Sequence, residues 1–144
     1  MTRTFFLATI AAAAFGFASV PAMANDVFIT QWGWGHNAGG AQNGWHNSVG
    51  IDQSGWNNTG VVQQWGNHNV GAIGQSGSHH SAQANQTGSW NQAGVAQFGS
   101  NHTTILTQDG YGNIAAGVQV GNGCSANVNQ TGSGNVAAFV QTCP

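Results

Sequence analysis

The strongest constraint in this chain is a glutamine that returns every 11 residues from residue 31 to residue 141. Glycine follows two residues after each glutamine except the last, where Cys143 takes that place. A fixed period of this kind predicts a repeat architecture, in which each unit packs only against its neighbours. The glutamines are Gln31, Gln42, Gln53, Gln64, Gln75, Gln86, Gln97, Gln108, Gln119, Gln130 and Gln141.

Each unit divides into a turn-forming part and a strand-forming part. The segment Gln-x-Gly-x-x-Asn is rich in Gly, Asn, Ser and His, which tolerate turns. The five or six residues leading to the next glutamine alternate as in a strand, for example Thr103 to Gln108. A helix is disfavoured because each interior glycine costs about 1 kcal/mol. We therefore predict an all-β, flattened and open-ended β-solenoid of 11-residue units, with two strands per 22-residue rung.

The first 24 residues predict a secretory signal peptide rather than part of the fold. Arg3 supplies the positive start, residues 5–20 are apolar, and Ala-Met-Ala at residues 22–24 is a small-residue cleavage site. A membrane anchor is the alternative, disfavoured by the short apolar run and by Pro21. The repeat domain is predicted to span residues 25–144, about five and a half rungs, without any Lys or Arg.

Strand alternation places the glutamines inside, together with the residues two and four positions earlier, beginning with Val27 and Ile29. Stacked amides can hydrogen-bond along the axis as ladders. A second ladder is predicted five residues after each glutamine, where His36, His80, His102 and Cys124 replace Asn and are expected to weaken it. Its asparagines are Asn47, Asn58, Asn69, Asn91, Asn113 and Asn135.

The outward faces of alternate strands differ in polarity. One set is polar, as in the segment at residues 81–85, whereas the other becomes apolar towards residue 144, with Val118 and Val140 outward. Exposed apolar patches usually mark contact surfaces. We expect fibres to associate laterally through this face, so that Lys at Val118 and Val140 thins the bundles seen in electron micrographs.

Cys124 and Cys143 fall at the same end of the stack, one rung apart. Because export favours oxidation, we predict a disulfide bond that staples the last rung, with free or intermolecular thiols as the alternative.

All six histidines fall in predicted turns: His36, His46, His68, His79, His80 and His102. The pairs His46/His68 and His80/His102 are 22 residues apart and should stack on adjacent rungs. No carboxylate or thiolate completes a metal shell around them. We therefore interpret the histidines as substitutes for Asn in turns that tolerate positive φ, and predict no metal and no cofactor.

Several function classes are disfavoured by the residues themselves. The isolated Asp26, Asp52 and Asp109 do not form the acid and base pair that hydrolytic catalysis requires, so we predict no enzyme activity. Nucleic acid is not an expected partner because there is no basic patch. Trp34 and Trp56 lie one rung apart and could stack; we interpret them as an assembly or adhesion contact, with a carbohydrate-binding surface as the alternative.

The pattern Gln-x-Gly-x-x-Asn-x-(Ala/Val)-x-x-x-Gln after a secretory signal resembles the curlin repeat of bacterial curli subunits. The clearest matches are residues 86–97, 108–119 and 130–141. The resemblance implies a secreted subunit of extracellular amyloid fibres that serve biofilm matrix and surface adhesion, with the Gln and Asn ladders driving assembly. It also implies a nucleator subunit, an outer-membrane secretion channel and a periplasmic chaperone as partners. The glycine-rich leader of family major subunits has no separate counterpart before Asn25.

The regularity of the units favours a major fibre subunit. The alternatives are a nucleating minor subunit and, from another class, a monomeric β-solenoid that binds glycan or ice.

Overall fold

The computed structural model describes residues 25–144, which form eleven strands joined by short turns. The predicted signal peptide lies outside the described residues. The strands are β1 (Asp26–Trp34), β2 (Asn37–Asn43), β3 (Ser48–Trp56), β4 (Thr59–Asn67), β5 (Val70–Ser78), β6 (Ser81–Ser89), β7 (Gln92–Ser100), β8 (Thr103–Tyr111), β9 (Ile114–Asn122), β10 (Ser125–Ser133) and β11 (Val136–Cys143).

The strands alternate between two parallel sheets that face each other. Sheet A has six strands in the order β1-β3-β5-β7-β9-β11, and sheet B has five in the order β2-β4-β6-β8-β10. Every residue pairs with the residue 22 positions further on, as Gln53 does with Gln75. The predicted β-solenoid with 22-residue rungs is therefore confirmed. Among residues 25–144, no helix could cross a membrane.

The predicted strand ends are wrong by about three residues. β8, for example, does not stop at Gln108 but continues to Tyr111, so the turns between strands are two residues long, except for the four-residue turn between β2 and β3. The extension depends on glycine, since Gly55 has a φ of 110° and a Cβ there would overlap the carbonyl oxygen of Gly77 in the next rung. Only glycine lets the two backbones approach this closely without leaving the ladder.

The core is a thin double row of small and branched side chains between the sheets. The faces predicted by alternation are confirmed in the middle of the stack, but Val27 and Ile29 remain 48% and 44% exposed. They lie on β1, the outermost strand of sheet A, which has a paired neighbour on one side only. The buried cluster consists of Val49, Ile51, Val62, Ile73, Ala82, Ala84, Ala93, Val95, Leu106 and Ala115.

Candidate functional site: amide ladders and open strand edges

The repeated glutamines form two continuous rails of hydrogen bonds along the stack. Gln75 shows the pattern: its Oε1 accepts from Nε2 of Gln53 at 2.7 Å, and its Nε2 donates to Oε1 of Gln97 at 2.8 Å. The same Nε2 also donates to the carbonyl oxygen of Thr59 in the opposite sheet at 3.0 Å. One rail joins Gln31, Gln53, Gln75, Gln97, Gln119 and Gln141, and the other joins Gln42, Gln64, Gln86, Gln108 and Gln130.

These rails satisfy amides that have no access to water. Gln64, Gln86 and Gln108 are fully buried, and an unpaired buried amide would cost about 1–3 kcal/mol. Stacking of identical residues in register satisfies each amide with the next one. The glutamines therefore specify the register between rungs as well as contributing to stability.

The rails have a direction, so the two ends of the stack differ. Within residues 25–144, nothing donates to Oε1 of Gln31 or Gln42 at one end. At the other end, Nε2 of Gln130 and Gln141 each donates only to a backbone carbonyl, of Ile114 and Ser125. One end thus presents two acceptors and the other two donors.

The second ladder follows the turns, and one side of the stack is built almost entirely of asparagine. We call this side, formed by the turns after β2, β4, β6, β8 and β10, the asparagine edge. Oδ1 of Asn91 accepts from the backbone N–H of Asn113 at 3.0 Å, and its Nδ2 donates to the carbonyls of Thr87 and Gly110, both at 3.1 Å. Its ladder residues are Asn25, Asn47, Asn69, Asn91, Asn113 and Asn135.

The opposite side, which we call the histidine edge, carries His36, Asn58, His80, His102 and Cys124 in the turns after β1, β3, β5, β7 and β9. Nδ1 of His80 accepts from the backbone N–H of His102 at 3.3 Å, and its Nε2 lies 3.3 Å from the carbonyl oxygen of Ser76. These partners require the neutral tautomer with its proton on Nε2. The ladder continues through the histidine with two such contacts, as many as the Asn69 side chain makes and one fewer than Asn91. The expected weakening at the histidines stays a prediction.

Burial lowers the pKa of His80 below its ordinary value, and the neighbouring His102 imidazole lowers it further. The nearby carbonyls of Ser76 and Gly99 act in the opposite direction. Protonation would place an N–H at Nδ1 against the N–H of His102, so the ladder at this point requires a neutral ring.

The positive-φ interpretation holds for only some of the histidines. His46, His68 and His79 have φ values of 54°, 58° and 57°. His80 and His102 are not among the positive-φ residues, and hydrogen bonding in the ladder accounts for them instead. For these residues and for His36 the sequence-based interpretation is wrong, because the positive φ falls on the residue before the ladder position.

Aromatic stacking follows the predicted rung spacing. The rings of His46 and His68 stack at 4.9 Å, and those of His80 and His102 at 5.0 Å, so both predicted pairs are confirmed. His68 also stacks on Trp90 at 4.2 Å, a pair that was not predicted although the two residues are 22 positions apart. In the part of the chain that the structure describes, no three potential metal ligands cluster.

Cys124 and Cys143 form a disulfide bond, with their Cα atoms 5.6 Å apart. The two cysteines are 19 residues apart in the sequence. A ladder asparagine is separated by the same number of residues from the glycine whose carbonyl accepts its hydrogen bond. Nδ2 of Asn113, for example, donates to the carbonyl oxygen of Gly132 at 2.9 Å. The disulfide is therefore a covalent bond at the place where units with asparagine at this position have an Asn-to-Gly hydrogen bond.

Two exposed surfaces accompany the ladders. Trp34 and Trp56 are 79% and 65% exposed, and together with Asn57 they line a cleft of about 470 Å³. The two indoles are not among the stacked ring pairs of residues 25–144, although the sequence suggested that they could stack. On the outer face of sheet A, Val118 and Val140 line a shallow apolar groove of about 400 Å³.

Parallel in-register strands with amide ladders define a β-solenoid of tandem repeats. The family model of the curlin associated repeat matches the chain twice, at residues 56–88 and 81–110. Residues 56–110 are therefore similar to the curlin associated repeat, in agreement with the motif at residues 86–97. This family is structural rather than enzymatic, and the chain is a curlin-like structural subunit. No curated protein sequence matches the chain.

Proposed function

We propose that this chain is a secreted subunit that joins copies of itself end to end into extracellular amyloid fibres. The observation that carries the proposal is the complementarity of the two ends. Free acceptors of Gln31 and Gln42 lie at one end, and free donors of Gln130 and Gln141 lie at the other. Copies that stack head to tail continue both rails, whereas head-to-head contact would oppose like groups.

The outermost strands support the same conclusion. Exposed strand edges recruit further strands unless charge, proline or a covering element blocks them. Within residues 25–144, β1 and β2 at one end and β10 and β11 at the other are uncovered. Contact between two different surfaces that does not close into a ring produces a filament.

Burial would favour this contact. Val27 and Ile29 lie on the inner face of β1 and are about half exposed in the single copy. Covering an apolar side chain of this size fully contributes about 1.5–3 kcal/mol, so a second copy on this end gains from both residues. Asp52 and Asp109 are exposed on the outer faces, where their charge would slow unproductive association before export.

The regular repeats favour a major fibre subunit over a nucleating one. The extracellular character of the family supports export through the periplasm to the cell surface, with biofilm matrix and adhesion as the biological role. An outer-membrane channel, a periplasmic chaperone and a nucleator subunit are the partners that this role requires. Lateral bundling would use the apolar groove at Val118 and Val140.

The test is incubation of the exported protein, with thioflavin T fluorescence and fibre diffraction as readouts. We expect a lag phase, dye-positive fibres and a reflection at about 4.7 Å from stacked strands. The variant Gln31→Lys, which replaces a rail acceptor with a cation at one open end of the stack, should lengthen the lag, with Asn129→Lys on an outer face as the matched control. A persistently monomeric, dye-negative protein would contradict the proposal.

A second candidate function rests on the cleft between Trp34 and Trp56. Two exposed indoles beside the amide of Asn57 suit the apolar face and hydroxyls of a sugar ring. If the protein stays monomeric and is retained on insoluble polysaccharide, and the variant Trp34→Ala abolishes retention, glycan binding becomes the better assignment.

A further inference from the structure

The two sheets hold different numbers of strands, six in sheet A and five in sheet B. Both outermost strands of the chain, β1 and β11, consequently lie in sheet A. The repeat pattern departs from its consensus next to both of these strands. Val20 and Ala22 stand where a preceding unit would carry Gln and Gly, and Cys143 stands in the glycine column.

This odd number of strands restricts how copies can stack. If each copy kept the orientation of the one before, β1 would pair with β11 and sheet A would continue. Sheet B would then lack one strand at every junction. The inner faces of β11 and of the incoming β1, including Phe139, Val27 and Ile29, would face a vacancy. Gaps of this kind forfeit both contacts and hydrophobic burial.

We propose that consecutive copies are rotated by about half a turn around the fibre axis, so that sheet A of one copy continues sheet B of the next. This inference rests on the proposed fibre function and specifies its interface. In this arrangement β1 of the incoming copy pairs with β10, and β2 of the incoming copy pairs with β11. The half-turn moves sheet A to the side of sheet B and also reverses the direction in which its strands run. Because the strands of the two sheets run in opposite directions within a copy, the strands that meet at the junction are parallel. Both sheets are then complete.

The register of the junction follows from the pairing within the chain. Gln31 of the incoming copy lies over Gln130, and Gln42 lies over Gln141. Both acceptors therefore meet both free donors, and the two rails cross the junction without interruption. Each rail passes from one sheet of a copy into the other sheet of the next.

The lengths of the terminal strands support the same orientation. Cys143 stands at the glycine position of the repeat but does not adopt the positive φ of Gly121 below it, so β11 leaves the backbone path that lets successive rungs stack, and this obstructs a further strand there. Pro144 lacks the backbone N–H that continued pairing requires. In the rotated arrangement β2, only seven residues long, covers β11 from Val136 to Thr142 and ends before this obstruction. In the unrotated arrangement the nine-residue β1 would have to pair across it.

Helical reconstruction of the fibres separates the two arrangements. At about 4.8 Å between paired strands, the rotated arrangement gives a rise of about 26 Å per copy with a rotation near 180°. The unrotated arrangement gives a rise of about 29 Å with a rotation near 0°. The second result would overturn the inference while leaving fibre formation intact. Absence of fibres would instead contradict the proposed function.

Zero-length crosslinking provides an independent test. Residues 25–144 contain no lysine, so Phe28→Lys introduces a unique side-chain amine on the outward face of β1. Asn127→Asp places its partner on β10 in the rotated register, and Ala138→Asp places it on β11 in the unrotated one. In carbodiimide-treated fibres of the Phe28→Lys, Asn127→Asp variant, we expect an intermolecular amide bond between the two substituted side chains. The Phe28→Lys, Ala138→Asp variant is the matched control, and a linkage only in the control would overturn the inference.

Discussion

The asparagine edge and the histidine edge are built on the same backbone but differ in chemistry. The asparagine edge repeats one amide at every rung, and the amide of Asn91, for example, has three partners. The histidine edge mixes His36, Asn58, His80 and His102, which accept the next backbone N–H through a ring nitrogen or an amide oxygen, and its last described residue is the disulfide-bonded Cys124. The fold requires an acceptor at this point in each inner rung, and it tolerates more than one kind of acceptor.

The comparison indicates a division of labour between the two sides of the stack. The ladder of the asparagine edge is insensitive to pH and redox conditions, because its amides neither titrate nor oxidise near neutrality; His46 and His68 lie in the same turns but outside the ladder. The ladder of the histidine edge itself contains groups that respond to both. The effects of substitution should therefore be largest in the asparagine ladder and smallest outside both ladders.

Removing one amide from the asparagine edge should destabilise the stack most. Asn91→Ala leaves the buried N–H of Asn113 and the carbonyls of Thr87 and Gly110 without their partner, a loss of about 4 kcal/mol. Guanidinium denaturation followed by circular dichroism would measure it. The control is Asn129→Ala on an outer face, expected to change stability by no more than about 0.5 kcal/mol. Equal effects of both variants would show that the ladder does not support the fold.

The disulfide should contribute nearly as much, but only locally. Closing a loop of 19 residues contributes about 3 kcal/mol, so replacing both cysteines with serine should increase hydrogen exchange in β10 and β11. Cys124→Asn combined with Cys143→Gly supplies the pair that other units use, and should recover about 1 kcal/mol. Serine and Asn/Gly variants of equal stability would contradict the equivalence of the two contacts.

The histidine edge should confer a pH dependence. Because burial lowers the pKa of His80 in the folded state, the unfolded chain binds more protons around pH 6.5. The contribution of the neutral His80 ring to the free energy of unfolding is therefore fully present above about pH 6.5 and is lost as the pH falls below that value. His80→Asn should raise stability by about 1 kcal/mol at neutral pH and flatten the profile between about pH 7.5 and 5. Asn91→His should make stability depend more steeply on pH. If neither variant changes this dependence, the ladder is not its origin.

The smallest effect is expected outside the ladders. His68 stacks between His46 and Trp90, but its Nδ1 is buried without a partner among residues 25–144. His68→Asn suits the positive φ, removes the orphaned nitrogen and loses the stacking, and these terms should cancel to within about 0.5 kcal/mol. A loss of stability comparable to that of Asn91→Ala would show that the stacked rings of His46, His68 and Trp90 are as important as the ladder.

The sequence by itself determined the rung. A period of 11 residues with a buried amide in each unit leaves the 22-residue register as the arrangement in which every glutamine meets another. Alternation then identified the core, including Val62 and Leu106, because side chains along a strand point to opposite faces.

Tertiary structure decided what depends on the path of the turn. The sequence did not reveal that Gly55 keeps the strand paired beyond Gln53, since that follows from the approach of a carbonyl in the next rung. Nor did it show that His80 acts through Nδ1, or that Cys124 and Cys143 occupy the 19-residue contact of Asn113 and Gly132. A period specifies which residues are neighbours along the axis, but only the folded turn specifies which atoms of those neighbours meet.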